Sequence, residues 1–100
     1  MDDNWPFDQP QNCAVITLKQ IIDGAEPILH VSHDLDDHGW QFLGIGDACE
    51  EDAAVVCLGE IVKSDSTVLQ VADIPPGWHA WRQTVADKWT REPNPYDIAE

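Results

Sequence analysis

The stretch PILHVSHDLDDHGWQFLGIG, residues 27–46, decides how this chain is read. Ile28 to His33 and Trp40 to Ile45 are each rich in β-branched, aromatic and other apolar residues, the composition of strands. Between them Asp34, Leu35, Asp36, Asp37, His38 and Gly39 carry turn chemistry. Aspartate side chains accept hydrogen bonds from nearby backbone, and glycine takes positive φ without penalty. The two runs therefore read as an antiparallel hairpin. With His33 opposite Trp40, Val31 falls opposite Phe42 and Leu29 opposite Gly44. Ile28, His30 and Ser32 then share the other face with Gln41, Leu43 and Ile45. Both faces are partly apolar, which predicts an interior pair with cover on each side of the sheet.

Working outward, residues 1–11 hold Pro6 and Pro10, each of which disfavours helical backbone in the residue before it. An extended N-terminal arm is expected, with Trp5 and Phe7 available to dock. Cys13 to Ile16 reads as a short strand. Thr17 and Gln20 fit a capping box for a helix over Leu18 to Asp23, which Gly24 ends. Downstream of the hairpin lies an acidic knot, Glu50, Glu51 and Asp52. Ala53 to Leu58 reads as a buried strand and Gly59 to Lys63 as a helical turn. Ser64 to Thr67 offers caps for a second short helix through Val68, Leu69 and Val71. Pro76 and Gly77 match the two central positions of a type II turn. Trp78 to Val85 fits strand alternation and helical spacing both, and the turn before it favours strand. From Arg91 the chain reads as an irregular tail. The expected architecture is one α+β domain over residues 12–90, with a mainly antiparallel sheet of four to five strands and two short helices.

The charge is one-sided. Nineteen acidic residues stand against five basic ones, a formal net charge of −14. Between Gln20 and Val62 there is no lysine or arginine, yet there are ten acids. Such a chain repels nucleic acid and anionic membranes and suits a basic protein partner or a metal cation. Plain solubility accounts for the same charge. No run of apolar residues reaches membrane-spanning length, and the acidic start MDDNWPFDQP does not read as a signal peptide. Cys13, Cys49 and Cys57 are odd in number and lack metal-site spacing, so reduced thiols in a cytoplasm are expected. Cys13 and Cys57 sit in apolar runs and read as core.

Three groups of residues could carry chemistry or binding. His33, Asp36, Asp37 and His38 offer imidazole and carboxylate ligands for zinc or manganese, with His30 and Asp34 beside them. A tight polar loop, with its aspartates bonded to backbone, uses the same residues without a metal. Calcium binding of the EF-hand type is excluded, because its twelfth position would be Ile45 where a glutamate is needed. The second group is acidic: Asp34, Asp36, Asp37, Glu50, Glu51 and Asp52 could steer a basic partner. The third is Trp78, Trp81 and Arg82, of residue types enriched at binding hot spots, though Arg82 stacked on a tryptophan inside the fold fits as well. There is no nucleophile motif and no phosphate loop; Gly44 and Gly46 alone do not make one. An enzyme is not the favoured reading.

The pattern PILHVSHDLDDHGWQFL, followed by IPPGWHAWR at residues 74–82, resembles a family of small bacterial proteins described as a domain of unknown function and grouped with predicted immunity proteins of polymorphic toxin systems. The resemblance covers about residues 12–90. It implies an α+β fold and a role in neutralising a toxin, and it assigns no catalytic residues. Two functions of different class follow as expectations: an acidic binding module that occludes a basic toxin, or a metal-dependent protein using the residue 30–38 cluster.

Overall fold

A computed structural model describes residues 5–36, 38–44 and 50–94 of the chain. The elements in order are β1 (Ala14–Leu18), α1 (Lys19–Ile22), β2 (His30–His33), β3 (Trp40–Leu43), a 3-10 turn at Glu50–Asp52, β4 (Ala53–Cys57), α2 (Leu58–Ser64), a 3-10 helix at Ser66–Val71, β5 (Trp78–Trp81) and β6 (Thr90–Pro93). The class is α+β, as expected. The six strands form one sheet in the order β4-β1-β3-β2-β5-β6. It has more strands than expected and is mixed, because β1 runs parallel to β3 with Ile16 opposite Gln41. The chain leaves β1 through α1, crosses to β2 and returns as β3. β2 runs opposite in direction to β1, so β3, antiparallel to β2, lies parallel to β1.

The hairpin register is the one read from the sequence: His33 faces Trp40, Ser32 faces Gln41, Val31 faces Phe42 and His30 faces Leu43. β5 pairs antiparallel on the far side of β2, with Val31 opposite Ala80 and His33 opposite Trp78. The strand reading of Trp78 to Trp81 thus holds over the helical one. The turn before it also fits: Gly77 has φ +86° and the Trp78 N–H donates to the Pro75 carbonyl at 3.1 Å.

α1, α2 and the Ser66–Val71 3-10 helix pack on one face of the sheet. Val15, Val31, Trp40, Phe42 and Ala80 form a single core with Ile21 of α1, Leu58 and Ile61 of α2, Val68 and Val71 of the 3-10 helix, and Phe7 of the arm. Several of these are wholly buried, each such side chain stabilising the fold by about 1.5–3 kcal/mol. The expected cover on the second face is not found among the described residues. His30, Gln41, Leu43, His79 and Trp81 there are half-buried, and Ile16 and Val55 are exposed.

Four local expectations change. Thr17 is not a helix cap: it lies in β1, fully buried, and its hydroxyl donates to the Phe42 carbonyl at 2.7 Å. The N-cap of α1 is Leu18, without a side-chain bond. β4 is not a buried strand but an edge strand, with Val55 68% exposed. Its alternate residues point outward, which leaves Cys57 exposed; Cys13 is half-buried rather than core. Finally, Thr90–Pro93 forms β6 where an irregular tail was expected. Proline at a strand end and charges along it are tolerated because β6 is an edge. Among the described residues no helix is long and apolar enough to cross a membrane.

Candidate functional site

His33, the last residue of β2, is 2% exposed and lies flat on its cross-strand partner Trp40, ring centroids 4.0 Å apart. Its Nδ1 donates to the Ile74 carbonyl at 2.9 Å. A carbonyl only accepts, so this nitrogen carries a proton. Its Nε2 stands 3.1 Å from Asp8 Oδ2, within ion-pair distance but too poorly aligned for a hydrogen bond. The other oxygen of Asp8 accepts from the Trp40 indole at 2.9 Å. Phe7, the residue before Asp8, packs edge-on against the same Trp40.

This geometry turns His33 toward partners within the fold. Both nitrogens of His33 face oxygens of the protein itself. Asp36 is exposed, and so is His38, which adopts φ +59°; the His38 and His33 rings are 6.1 Å apart. Asp37 lies outside the described residues. Among the described residues no three His, Cys, Asp or Glu side chains converge to hold a metal ion.

A second histidine centre lies on the open face of the sheet. His30 Nε2 and His79 Nδ1 are 2.8 Å apart, and His79 Nε2 is 3.2 Å from Glu92 Oε1 on β6. The carboxylate accepts from His79 Nε2–H. In the tautomer with that proton on Nε2 and none on Nδ1, His79 accepts at Nδ1 from His30 Nε2–H, and a proton added to either ring sets two like charges side by side. Burial, and secondly the neighbouring charge of His79, holds His30 below its ordinary value. Such a relay could move a proton, but no nucleophile stands in it. A groove of about 440 Å³ lies elsewhere, between α1 and the end of α2, lined by Ile21, Ile22, Glu26, Ile28, Ser64 and Asp65. None of the histidines lines that groove.

The acidic residues fall into two groups rather than one. The β2–β3 loop carries Asp34 and Asp36 at the end of the sheet marked by His33 and Trp40. Glu51 and Asp52 precede Ala53, which pairs with Leu18 at the opposite end. Glu50 belongs to the same 3-10 turn. The loop is no free prong: the Asp34 N–H donates to the Gly39 carbonyl, and Leu35 leans on Gly77.

The tryptophan–arginine group also divides. Trp78 packs against the core, whereas Trp81 is half-buried on the open face beside His30. Arg82 is 2% exposed. Its guanidinium donates to the Ile28 carbonyl and to Asp65 Oδ2, and it lies 4.1 Å from the centre of the Trp89 ring. It therefore holds the interior together and is not presented to a partner.

No family model matches the chain, no curated protein matches it in sequence, and no solved structure matches it.

The functional reading thus rests on charge and surface. Of the bases, Arg82 pairs with Asp65, Arg91 with Asp73 and Lys63 with Glu60. Asp23, Glu26, Asp36, Glu51, Glu60, Asp73, Asp87 and Glu92 are all exposed. The His30–His79–Glu92 relay and the open apolar face escaped the sequence reading. Alternation marks which residues share a face, but not that β2 neighbours β5 or that no helix among the described residues covers the second side.

Proposed function

We propose that this chain is a protein-binding module that captures a basic partner, in the manner of an immunity protein that neutralises a toxin by occlusion. One observation carries the reading. The chain pairs much of its own positive charge internally or with adjacent acids and leaves its acidic side chains outward, at both ends of the sheet. Such a surface raises the rate of encounter with a cationic partner and repels anionic ones. The open face between the two acidic ends, with Val55, Ile16 and Trp81, adds apolar contact area. The test is co-expression with the basic product of an adjacent toxin-type gene. Restored growth, with a complex that weakens as salt rises, is the expected result. Undiminished toxicity with no complex in sedimentation would reject the immunity reading.

A further inference from the structure

The two edges of the sheet are unlike. β6 is Thr90-Arg91-Glu92-Pro93, an edge guarded by charge and proline. β4 is Ala53-Ala54-Val55-Val56-Cys57, with no charge, no proline and no glycine. The Leu58 N–H donates to the Cys13 carbonyl at 2.8 Å, and the register sets Ala14 opposite Cys57. In an antiparallel ladder such bonding residues alternate, so Ala54 and Val56 also turn their N–H and C=O toward β1. Ala53 and Val55 turn theirs outward, and so does the N–H of Cys57, whose C=O opens α2 as its N-cap. Among the described residues, no backbone pairs with that edge.

We infer that the outer edge of β4 is where the partner docks, by adding an extended segment as a seventh strand. This rests on the protein-binding reading above and names its surface. Main-chain hydrogen bonds to Ala53, Val55 and Cys57 supply affinity, and the flanks supply selectivity. Glu51 stands exposed just before the strand and Glu60 just after it, on the first turn of α2. The occupant is therefore a segment of a basic protein, about five residues long, apolar at its centre against Val55 and cationic at both ends. A second copy of this chain fits poorly. Each copy carries −14, and two-fold pairing about Val55 would bring Glu51 of one copy opposite Gly59, beside Glu60, of the other.

The test uses the full chain and a capped heptapeptide of alternating lysine and valine at low salt, with amide exchange followed by NMR. Exchange at Ala53, Val55 and Cys57 slows by about tenfold or more on binding, while amides of β6 are unaffected. Val55→Pro removes an outward N–H without breaking the ladder to β1, and Val55→Lys keeps the backbone but repels the peptide. Both variants lose the protection and bind at least about fivefold more weakly, and the Lys variant keeps its fold should the Pro variant not. If the peptide binds with protection at Asp34–Asp36 instead, and Val55→Lys binds as well as the parent, the edge assignment falls while the basic-partner reading stands. If the peptide does not bind at all, both fall. If the chain alone self-associates with its β4 amides protected, the occupant is a second copy and the assignment to a basic partner is overturned.

Discussion

His30 and His79 meet across the β2–β5 pair with Nε2 and Nδ1 2.8 Å apart, and His79 reaches on to Glu92 at 3.2 Å. They are diagonal neighbours, since His30 lies opposite Trp81 and His79 opposite Ser32. The pair gives the fold a pH dependence with a definite sign. Burial first, and then the charge of His79, keeps His30 below its ordinary value of 6.5 in the folded chain. The unfolded chain therefore takes up the proton first as pH falls. Stability from this site is full above about pH 6.5 and declines below it, until the folded pKa is reached. Thermal melts between about pH 7.5 and 5 should show that decline, and His30→Gln should flatten it. An unchanged slope in the variant would assign the effect to other groups.

Arg82 predicts a large loss on truncation. Its guanidinium is almost fully buried on the Ile28 carbonyl, Asp65 and the Trp89 ring. Arg82→Ala would leave Asp65 without its cation and a backbone carbonyl without its donor. The expected cost is about 3–5 kcal/mol, read from chemical denaturation. Lysine should recover little of it, because an ammonium cannot reproduce the planar fork. Wild-type stability in Arg82→Ala would contradict an interior role.

Thr17 makes a smaller, sharper prediction. Its hydroxyl bonds the Phe42 carbonyl at 2.7 Å across the parallel β1–β3 pair. Thr17→Val keeps the volume and removes the donor, and should cost about 1–2 kcal/mol. A capping role would instead leave valine's effect confined to α1, visible as lost helical exchange protection with β1 and β3 unchanged.

The arm can be tested separately. Phe7 is 6% exposed and packs on Trp40 and Phe42. Phe7→Ala should cost about 3–5 kcal/mol. Asp8→Ala, at a more exposed position, should cost about 1 kcal/mol and alter the fluorescence of Trp40, whose indole loses its acceptor. Unaltered stability in both variants would mean the arm does not close the core.

These sites show which parts of the chain were legible from residues alone. The hairpin was, down to its register, because alternation over Val31, His33, Trp40 and Phe42 and a loop of aspartates and glycine agree with one another. So was the turn at Pro76 and Gly77, where φ demands glycine. Thr17 was misleading because the capping pattern is local, whereas the competing β1–β3 pairing spans 25 residues. The run Ala53 to Cys57 is apolar enough to read as buried, but sequence does not record that no further strand among the described residues pairs beyond it. Residues 90–93 fail as a central strand and succeed as an edge. Of the proposed metal ligands, sequence could not show that His33 turns one ring nitrogen to the Ile74 carbonyl and the other toward Asp8 of the arm, and Asp37 lies outside the described residues.

The central claim is that outward negative charge draws in a basic partner. Its most direct test is the rate at which the chain associates with the lysine–valine heptapeptide, followed by tryptophan fluorescence, as ionic strength rises from about 0.05 M to about 0.5 M. The account predicts a fall of about tenfold or more. A rate that stays flat across that range would contradict it.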